Sequence, residues 1–527
     1  MKLVDRIANR FGFQRKAAAP MRRQYGAALA NRLTEDWNTI LSSADTEVNS
    51  SARVLRARAR QLERDNPFVE RYLKLLENNV LGAGGVGLQM KVRDPDKMEA
   101  GKLVKGGYDV LANSTIEKAW AEWGGKGICT VDGRTSWREL EKLVLRSTAR
   151  DGACFLVKYR GKEANRFGFA LKFLEADYLR EDHNAQLANG NIVRMGIELD
   201  ANNRAVAYHF HTRHPYEFGL MVQNNRSVRI EAERVIHIYK PTRQGQTNGV
   251  PWLAPSMLRM KMLDGYEEAE LTAARAAACK MGFYEKTLPN DYQGAVDSEG
   301  NPTLETQPGV IEDLPMGVTF KTHDPQHPVS AYADFVKASL RGIAAGLGVS
   351  YNSLANDLEG VNYSSIRAGL LEERAEWMGL QNWLIESLHE PVFHEWLELS
   401  LLAAALKMPN GSALPAVKLD KFSAVEWKPR RWQWVDPKKD LEAKVLAIEK
   451  GLESRRSAIS EQGGDIEDVF ADIAADEQLA ETYGLSFPTD ANQANAEAQN
   501  DGEEEDSEED DQEDASEGSS ISTAKVE

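Results

Sequence analysis

Several signatures are missing from this sequence, and each absence removes a class of function. No serine stands in a G-x-S-x-G turn and no G-x-x-x-x-G-K-[ST] phosphate loop occurs in the 527 residues, so neither a nucleophile-elbow hydrolase nor a nucleotide-hydrolysing motor is indicated. Cysteine is scarce. Cys129, Cys154 and Cys279 are odd in number and far apart, which argues against a disulfide framework and for a reducing compartment. Long apolar runs are lacking too: Leu399 to Leu406 is the most apolar stretch and is interrupted by Ser400, far short of the roughly 20 residues a membrane span requires. No membrane association is expected. Lys2, Asp5, Arg6 and Arg10 sit at the N-terminus without an apolar core behind them, so no signal peptide is expected either. Basic excess is also missing. The formal net charge is −17, and thirteen acidic residues between Glu497 and Glu517, with no Lys or Arg among them, leave only −4 on the remainder. A tight nucleic-acid binder usually carries a basic excess, so tight binding of DNA is not indicated.

What is present is enough for several cores. A hydrophobic fraction of 42% and roughly 150 residues per domain suggest about three domains. Residues 1–50 read as a partly ordered arm with a joint at Ala17–Pro20. Arg53, Arg56, Arg60 and Arg64 then form a helical stripe opposite Leu55, Ala59 and Leu62. Phosphate contact or pairing with the acidic face of a neighbouring subunit would suit such a stripe, and the expectation is the plainer one, a solvated helix face. Asn66 and Pro67 restart a helix as cap and first-turn proline, with Val69, Tyr72, Leu73, Leu76 and Val80 facing a core. Between residues 115 and 240, helical runs such as Trp137–Ser147 alternate with strand-like CFLVKYR, FALKFLEA, AVAYHFH and VIHIYK, an α+β pattern. Trp252 to Glu285 reads as one long helix, alanine-rich from Ala273 to Ala278. Residues 287–328 are punctuated by proline and glycine around strands such as GVTFK, a small β-rich insert. Helix is expected again from Pro437 to about Tyr483, and residues 489–527 hold the acidic run and read as disordered.

Three motifs invite chemical readings. GAGGVG at Gly82–Gly87 satisfies G-x-G-x-x-G, but a helix precedes it and a strand-like GLQMKVRD follows, the reverse of a dinucleotide fingerprint; it reads as a helix end and tight turn. His209, His211 and His214 with Glu217 could hold a metal, yet no H-E-x-x-H or cysteine pair supports it. Trp427, Trp432 and Trp434 interleave with Lys428, Arg430 and Arg431, as in single-strand binders; burial against neighbouring helices is the expectation.

The most informative stretch is PVSAYADFVKASLRGIAAGLGVSYNSLANDLEGVNYSSIRAGLLEERAEW, from Pro328 to Trp377. Tyr332, Phe335, Val336, Leu340, Ile343, Ala344 and Leu347 make an amphipathic ladder, and Gly346 and Gly348 end it. Residues 352–365 read as a polar loop. Helix resumes from Ile366 to Leu401, with Pro391 predicting a kink or break near His389.

These residues carry a family resemblance. GLGVSYNSLANDLEGVNYSSIRAGLLEERAEW and the upstream RVIHIYKPTRQGQTNGVPWLAPSMLRMKMLDGYEEAELTAARAAA resemble portal proteins of lambda-like tailed bacteriophages. RARARQLERDNPFVERYLKLLENNVLG, LEADYL, GIELDANNRAVAYHFH and WKPRRWQWVDPKKD resemble the same family in the same order. The resemblance implies an α+β, portal-type fold with an α/β wing (51–250), long paired stem helices (251–286 and 329–348), a small β-rich clip (287–328) and a helical crown (437–488). A tunnel loop (349–365), and a long helix with the wing/crown connection (366–436), complete it. It further implies a homo-oligomeric ring of about twelve subunits at one capsid vertex of the virion, assembled in the host cytoplasm. Double-stranded DNA would pass through the channel, and the terminase large subunit, the major capsid protein and a head-completion or tail-connector protein would be its partners. No catalytic activity, cofactor or metal is expected. Asn352, Asn356, Asn362, Tyr363, Lys337, Arg341 and Arg367 would line the DNA channel, and Tyr292, Glu312, Asp313 and Lys321 would lie on the terminase-docking clip. The alternatives are a metal-dependent hydrolase using His209, His211 and Glu217, or another head-completion adaptor.

Overall fold

The computed structural model describes residues 32, 35–95, 97–99, 102–104, 106–217, 226–278, 282–286, 298, 318–322, 332–359, 363–432, 437–461 and 466–485. They divide into two compact units, one ending at Arg431 and one beginning at Trp432.

Helix α1 (Ala44–Asp65) starts where the Ser43 side chain accepts the Thr46 N–H, with Asp45 and Glu47 in the first turn complementing the helix dipole. The arm expected over 1–50 therefore gives way to helix at Ala44. Asn66 then caps α2 (Pro67–Leu76), accepting from the N–H groups of Phe68 and Val69, as the Asn-Pro pair predicts. The arginine stripe needs correction. Arg56 lies with Val48, Ala52, Ala59 and Leu62 on the buried face of α1, only 3% exposed, and its guanidinium reaches Glu181 at 2.7 Å and Asp177 at 3.1 Å. Arg60 reaches Asp151 at 2.8 Å and Asp177 at 2.5 Å. Acidic groups distant in sequence balance these charges, which is what permits a guanidinium to be buried.

A π-helical turn, Glu77–Leu81, extends α2 and ends at Gly82, whose φ of 70° and N–H to the Glu77 carbonyl at 3.0 Å close it. Strand β1 (Gly87–Met90) follows, so GAGGVG joins a helix end to a strand start. A side chain on Gly85 would collide with the Glu141 carboxylate. Next come a short hairpin of β2 (Lys97–Glu99) and β3 (Lys102–Val104), then α3 (Val110–Trp123) and α4 (Trp137–Asp151). Ser136 and Glu139 form a capping box at the start of α4, which fixes that end.

Strands β4 (Ala153–Arg160), β5 (Phe169–Glu175), β6 (Ala185–Gln186), β7 (Ile192–Arg194), β8 (Ile197–Leu199), β9 (Ala205–His211), β10 (Ser227–Glu231) and β11 (Val235–Tyr239) build two sheets. Their orders are β11-β4-β5 and β10-β9-β8-β7-β6, all pairs antiparallel. Phe155, Leu174, Ile197, Leu199, Tyr208 and Phe210 join them in one core. This is the α+β region expected from the alternating runs.

The helix expected from Trp252 to Glu285 is shorter: α5 spans Met257–Ala278, and β12 (Gly282–Lys286) pairs antiparallel with β13 (Val318–Thr322). Pro251 and Pro255 lack backbone donors, so turns precede the helix, and the β-favouring Phe283-Tyr284 pair sits in the strand. Then come α6 (Tyr332–Leu347), α7 (Tyr351–Ala355) and α8 (Tyr363–Leu384). The break expected near His389 is a π-helical turn, Ile385–His389, running directly into α9 (Glu390–Leu402). The wider turn accommodates the N–H that Pro391 lacks without interrupting the helix. Strand β14 (Val425–Lys428) pairs antiparallel with β1.

A second core lies where α3, α4 and α9 meet. Trp120 and Trp123 stack at 4.8 Å, and Trp137, Phe393, Trp396 and Trp427 surround them. Trp427 is thus packed, as expected. Trp432 lies outside β14, and Trp434 falls outside the described residues.

The unit from Trp432 holds α10 (Pro437–Glu449), α11 (Arg455–Glu461) and α12 (Ile466–Tyr483), matching the expected helical end. Among the described residues no helix is long and apolar enough to cross a membrane.

Candidate functional site

The polar segment between α6 and α8 is more ordered than its composition suggests. Gly348, with φ of 70°, turns the chain out of α6, and Ser350 caps α7 by accepting the Ser353 N–H. The expected loop at 349–365 thus contains a helical turn, Tyr351–Ala355, and its last three residues already belong to α8. Asn356 ends that turn at φ 54° and ψ 36°, the left-handed conformation asparagine tolerates better than most side chains. From below, Glu373 on α8 accepts the Ser353 hydroxyl at 2.8 Å, and Arg71 on α2 donates to the Ser353 carbonyl at 3.1 Å.

Charges around this turn pair with one another. Lys337 on α6 reaches Glu359 at 2.9 Å and Asp357 at 3.8 Å. The Tyr351 hydroxyl donates to Asp357 at 2.7 Å, and the Arg341 guanidinium lies over the Tyr351 ring at 5.4 Å. Tyr351's hydrogen bond is the largest influence holding the Asp357 carboxyl below its ordinary range, followed by the Glu359 N–H and Lys337. The hydrogen bond that Lys337 donates to Glu359 holds its ammonium above the ordinary lysine range. Both shifts favour the charged forms, and the Lys337 cation is matched by carboxylates of the same turn. Asn352 is half-buried on α7 and Asn356 is exposed. Arg367 is half-buried on α8, and Tyr363 opens that helix. Asn362 lies outside the described residues, as do Tyr292, Glu312 and Asp313; Lys321 is on β13, opposite Phe283.

Glu373 is the anchoring residue the sequence reading missed. Its signal is a lone acid four residues before Trp377 and seven before Leu380, on the buried face of α8. Glu373→Ala is expected to loosen residues 350–353 by about 1–3 kcal/mol, the cost of orphaned part-buried partners. Hydrogen exchange of that turn should quicken while the sheet amides stay protected.

His209 and His214 find separate acidic partners. Burial lowers both His209 and His211, and His209 faces Glu198 at 3.9 Å. His214 approaches Glu175 and Asp177 instead, at 3.6 and 3.7 Å. Those two carboxylates already face Arg56, Arg60 and Arg150, whose guanidinium groups balance their charge. Both described cysteines are buried, and burial pushes their thiols up to about 12, far from a reactive thiolate.

The family description "Phage portal protein, lambda family" matches residues 30–381, the span from α1 through the pinned turn to α8. The chain belongs to the lambda family of phage portal proteins. A probable portal protein from Halomonas phage phiHAP-1 is 33% identical over 474 residues, covering 88% of each chain. Portal protein B of Escherichia phage lambda is 23% identical over 484 residues, covering 86% of this chain and 88% of its own. Among solved structures, the neck of an empty GTA particle overlaps 77% of this chain and 92% of its own, at 15% identity and a TM-score of 0.40. The matched span includes Lys337, Arg341, Asn352, Asn356 and Arg367.

Proposed function

We propose that this chain is one subunit of a portal ring of about twelve copies at a single capsid vertex, with double-stranded DNA entering and leaving along its axis. Membership of the portal family carries the reading. The ring performs no catalysis; a terminase supplies the motor and docks on residues 287–328, with Tyr292, Glu312, Asp313 and Lys321 at that surface. The major capsid protein surrounds the ring, and a head-completion or tail-connector protein follows the terminase. Assembly takes place in the host cytoplasm. Residues 437–488 form the crown.

The turn at 349–365 is the proposed channel contact, with Asn352, Asn356, Asn362, Tyr363, Arg341 and Arg367 toward DNA. Support comes from the charge pairing of Lys337 with Asp357 and Glu359. Each phosphate neutralised by a free cation adds about one unit to the salt dependence of binding, so a strongly basic tip would hold DNA that has to move. A tip of amides whose Lys337 is already held by Asp357 and Glu359 offers fewer cations to phosphate and touches without gripping.

Negative-stain imaging of the purified chain tests the first half: radially symmetric particles with a central hole are expected, and a compact single subunit would overturn the reading. For the second half, Asn352→Glu with Asn356→Glu should leave ring size unchanged and remove most DNA-filled heads in a packaging assay. Unimpaired filling would reject the channel contact.

A further inference from the structure

Helix α5 buries only part of its apolar surface within its own chain. Met257, Met260 and Leu263 face inward, and Tyr266 meets Tyr332 and Phe335 of α6. A second stripe, Leu258, Met262, Gly265 and Ala269, recurs at i, i+4, i+7 and i+11 and faces outward, Leu258 being 74% and Met262 68% exposed. A surface helix with two apolar faces has a second partner to find. Beside Leu258, a groove of about 420 Å³ runs between α1 and α5, floored by Leu55, Leu62 and Met257. Arg58 and Lys261 stand on its rim, exposed and without an ion pair among the described residues. Asp65 and Asp264 border it as well, and Asp264 accepts a hydrogen bond from Asn66 at 2.7 Å.

Helix α8 carries the counterpart. Leu371, Ala375 and Met378, again at i, i+4 and i+7, are exposed, Leu371 at 52% and Met378 at 41%. Glu372 and Glu376 flank that stripe, exposed and unpaired among the described residues. They open onto a cleft of about 600 Å³ walled by the small residues Ala345, Gly348, Gly369 and Ala375. The cleft has room for a long cationic side chain.

We infer that the α1–α5 groove of one copy receives α8 of the next copy, with Leu258 and Met262 against Leu371 and Met378, and Arg58 and Lys261 against Glu372 and Glu376. The apolar stripes match in spacing, and Arg58 and Lys261 are opposite in charge to Glu372 and Glu376, a combination that favours one register and partner. Two different patches meeting head to tail generate a ring when the rotation closes. This assignment rests on the ring reading above and adds which surfaces make it.

Reversal of charge tests it in the full chain. Arg58→Glu with Lys261→Glu, and separately Glu372→Lys with Glu376→Lys, should each shift the particle from ring mass to subunit mass in light scattering at low salt. Mixing the two variants should restore rings, because every contact then pairs opposite charges again; a variant that merely unfolds would not be rescued. On the unaltered chain, a zero-length carbodiimide crosslinker should join Lys261 of one copy to Glu372 or Glu376 of another. Absence of rings in the unaltered chain overturns the ring reading itself. Rings that survive both reversals, or that crosslink Lys261 only to other carboxylates, overturn this interface and leave the ring reading standing.

Discussion

Asp151→Ala is expected to lower stability by about 3–5 kcal/mol, the usual consequence of removing one partner from a buried ion pair. The Asp151 side chain is fully buried at the end of α4. Arg60 reaches its carboxylate at 2.8 and 3.0 Å, and Arg150 at 3.0 and 2.6 Å. Deleting it leaves two guanidinium groups facing each other with little water. The strain would spread, because Arg150 also holds Glu63 at 3.0 Å and Arg146 bridges Glu63, Glu70 and Glu77. Helices α1, α2 and α4 are joined through these charges. Asp151→Asn retains acceptor capacity and should lose less. Denaturant unfolding of the full chain, followed in the far ultraviolet, measures both; a loss below about 1 kcal/mol for alanine would deny the network its structural role, since exposed pairs contribute only that much.

The same network sets an acid limit. Burial pushes the Asp177 carboxyl up, but Arg56 and Arg60 outweigh it and hold the group below its ordinary range. A depressed carboxylate contributes stability that is fully present above its unfolded value and is lost as pH falls through the folded value. The unfolding midpoint should therefore hold steady from neutral pH toward the ordinary aspartate range near pH 3.9 and decline below it.

Trp396→Ala is expected to cost about 3–5 kcal/mol as well, by a different route: a large buried aromatic leaves a cavity that its neighbours fill only in part. Trp396 is fully buried and meets Trp120 at 5.0 Å, Phe393 at 5.9 Å, Phe167 at 6.1 Å and Trp123 at 6.3 Å. Its Nε1 makes no hydrogen bond among the described residues, so Trp396→Phe forfeits volume but no polar partner and should cost much less. Equal losses for the two variants would show that the indole, not the packing, matters. Because α9 enters this cluster directly after the π-helical turn, the alanine variant should also disturb His389, whose Nε2 lies 2.6 Å from Glu141 in the same core.

Much of this architecture was legible in local chemistry. Ser43, Asn66 and Ser136 mark helix starts because each offers an oxygen to otherwise unpartnered N–H groups. The alternating runs that became β4, β5, β9 and β11 were visible because strand periodicity is a property of a few consecutive residues. The arginine stripe was misread for the opposite reason. Asp151, Asp177 and Glu181 lie about 90 to 125 residues away from Arg56 and Arg60, and no local pattern announces them. The turn at Tyr351–Ala355 was likewise hidden, since Glu373, Arg71 and Lys337, which pin it, come from three separate helices.

The sequence by itself determined where many helices and strands begin, most of their apolar faces, the order of segments that marks the lambda portal family, and a charge that is nearly balanced outside the acidic run. Tertiary structure alone decided which charges are buried and paired. It converted a polar loop at the end of α6 into an anchored turn whose acids already hold Lys337, and it left one apolar stripe of α5 and one of α8 uncovered. The physical reason is the range of the interactions: capping and periodicity act within a turn or two of chain, whereas desolvation and ion pairing depend on what the fold brings within a few ångströms.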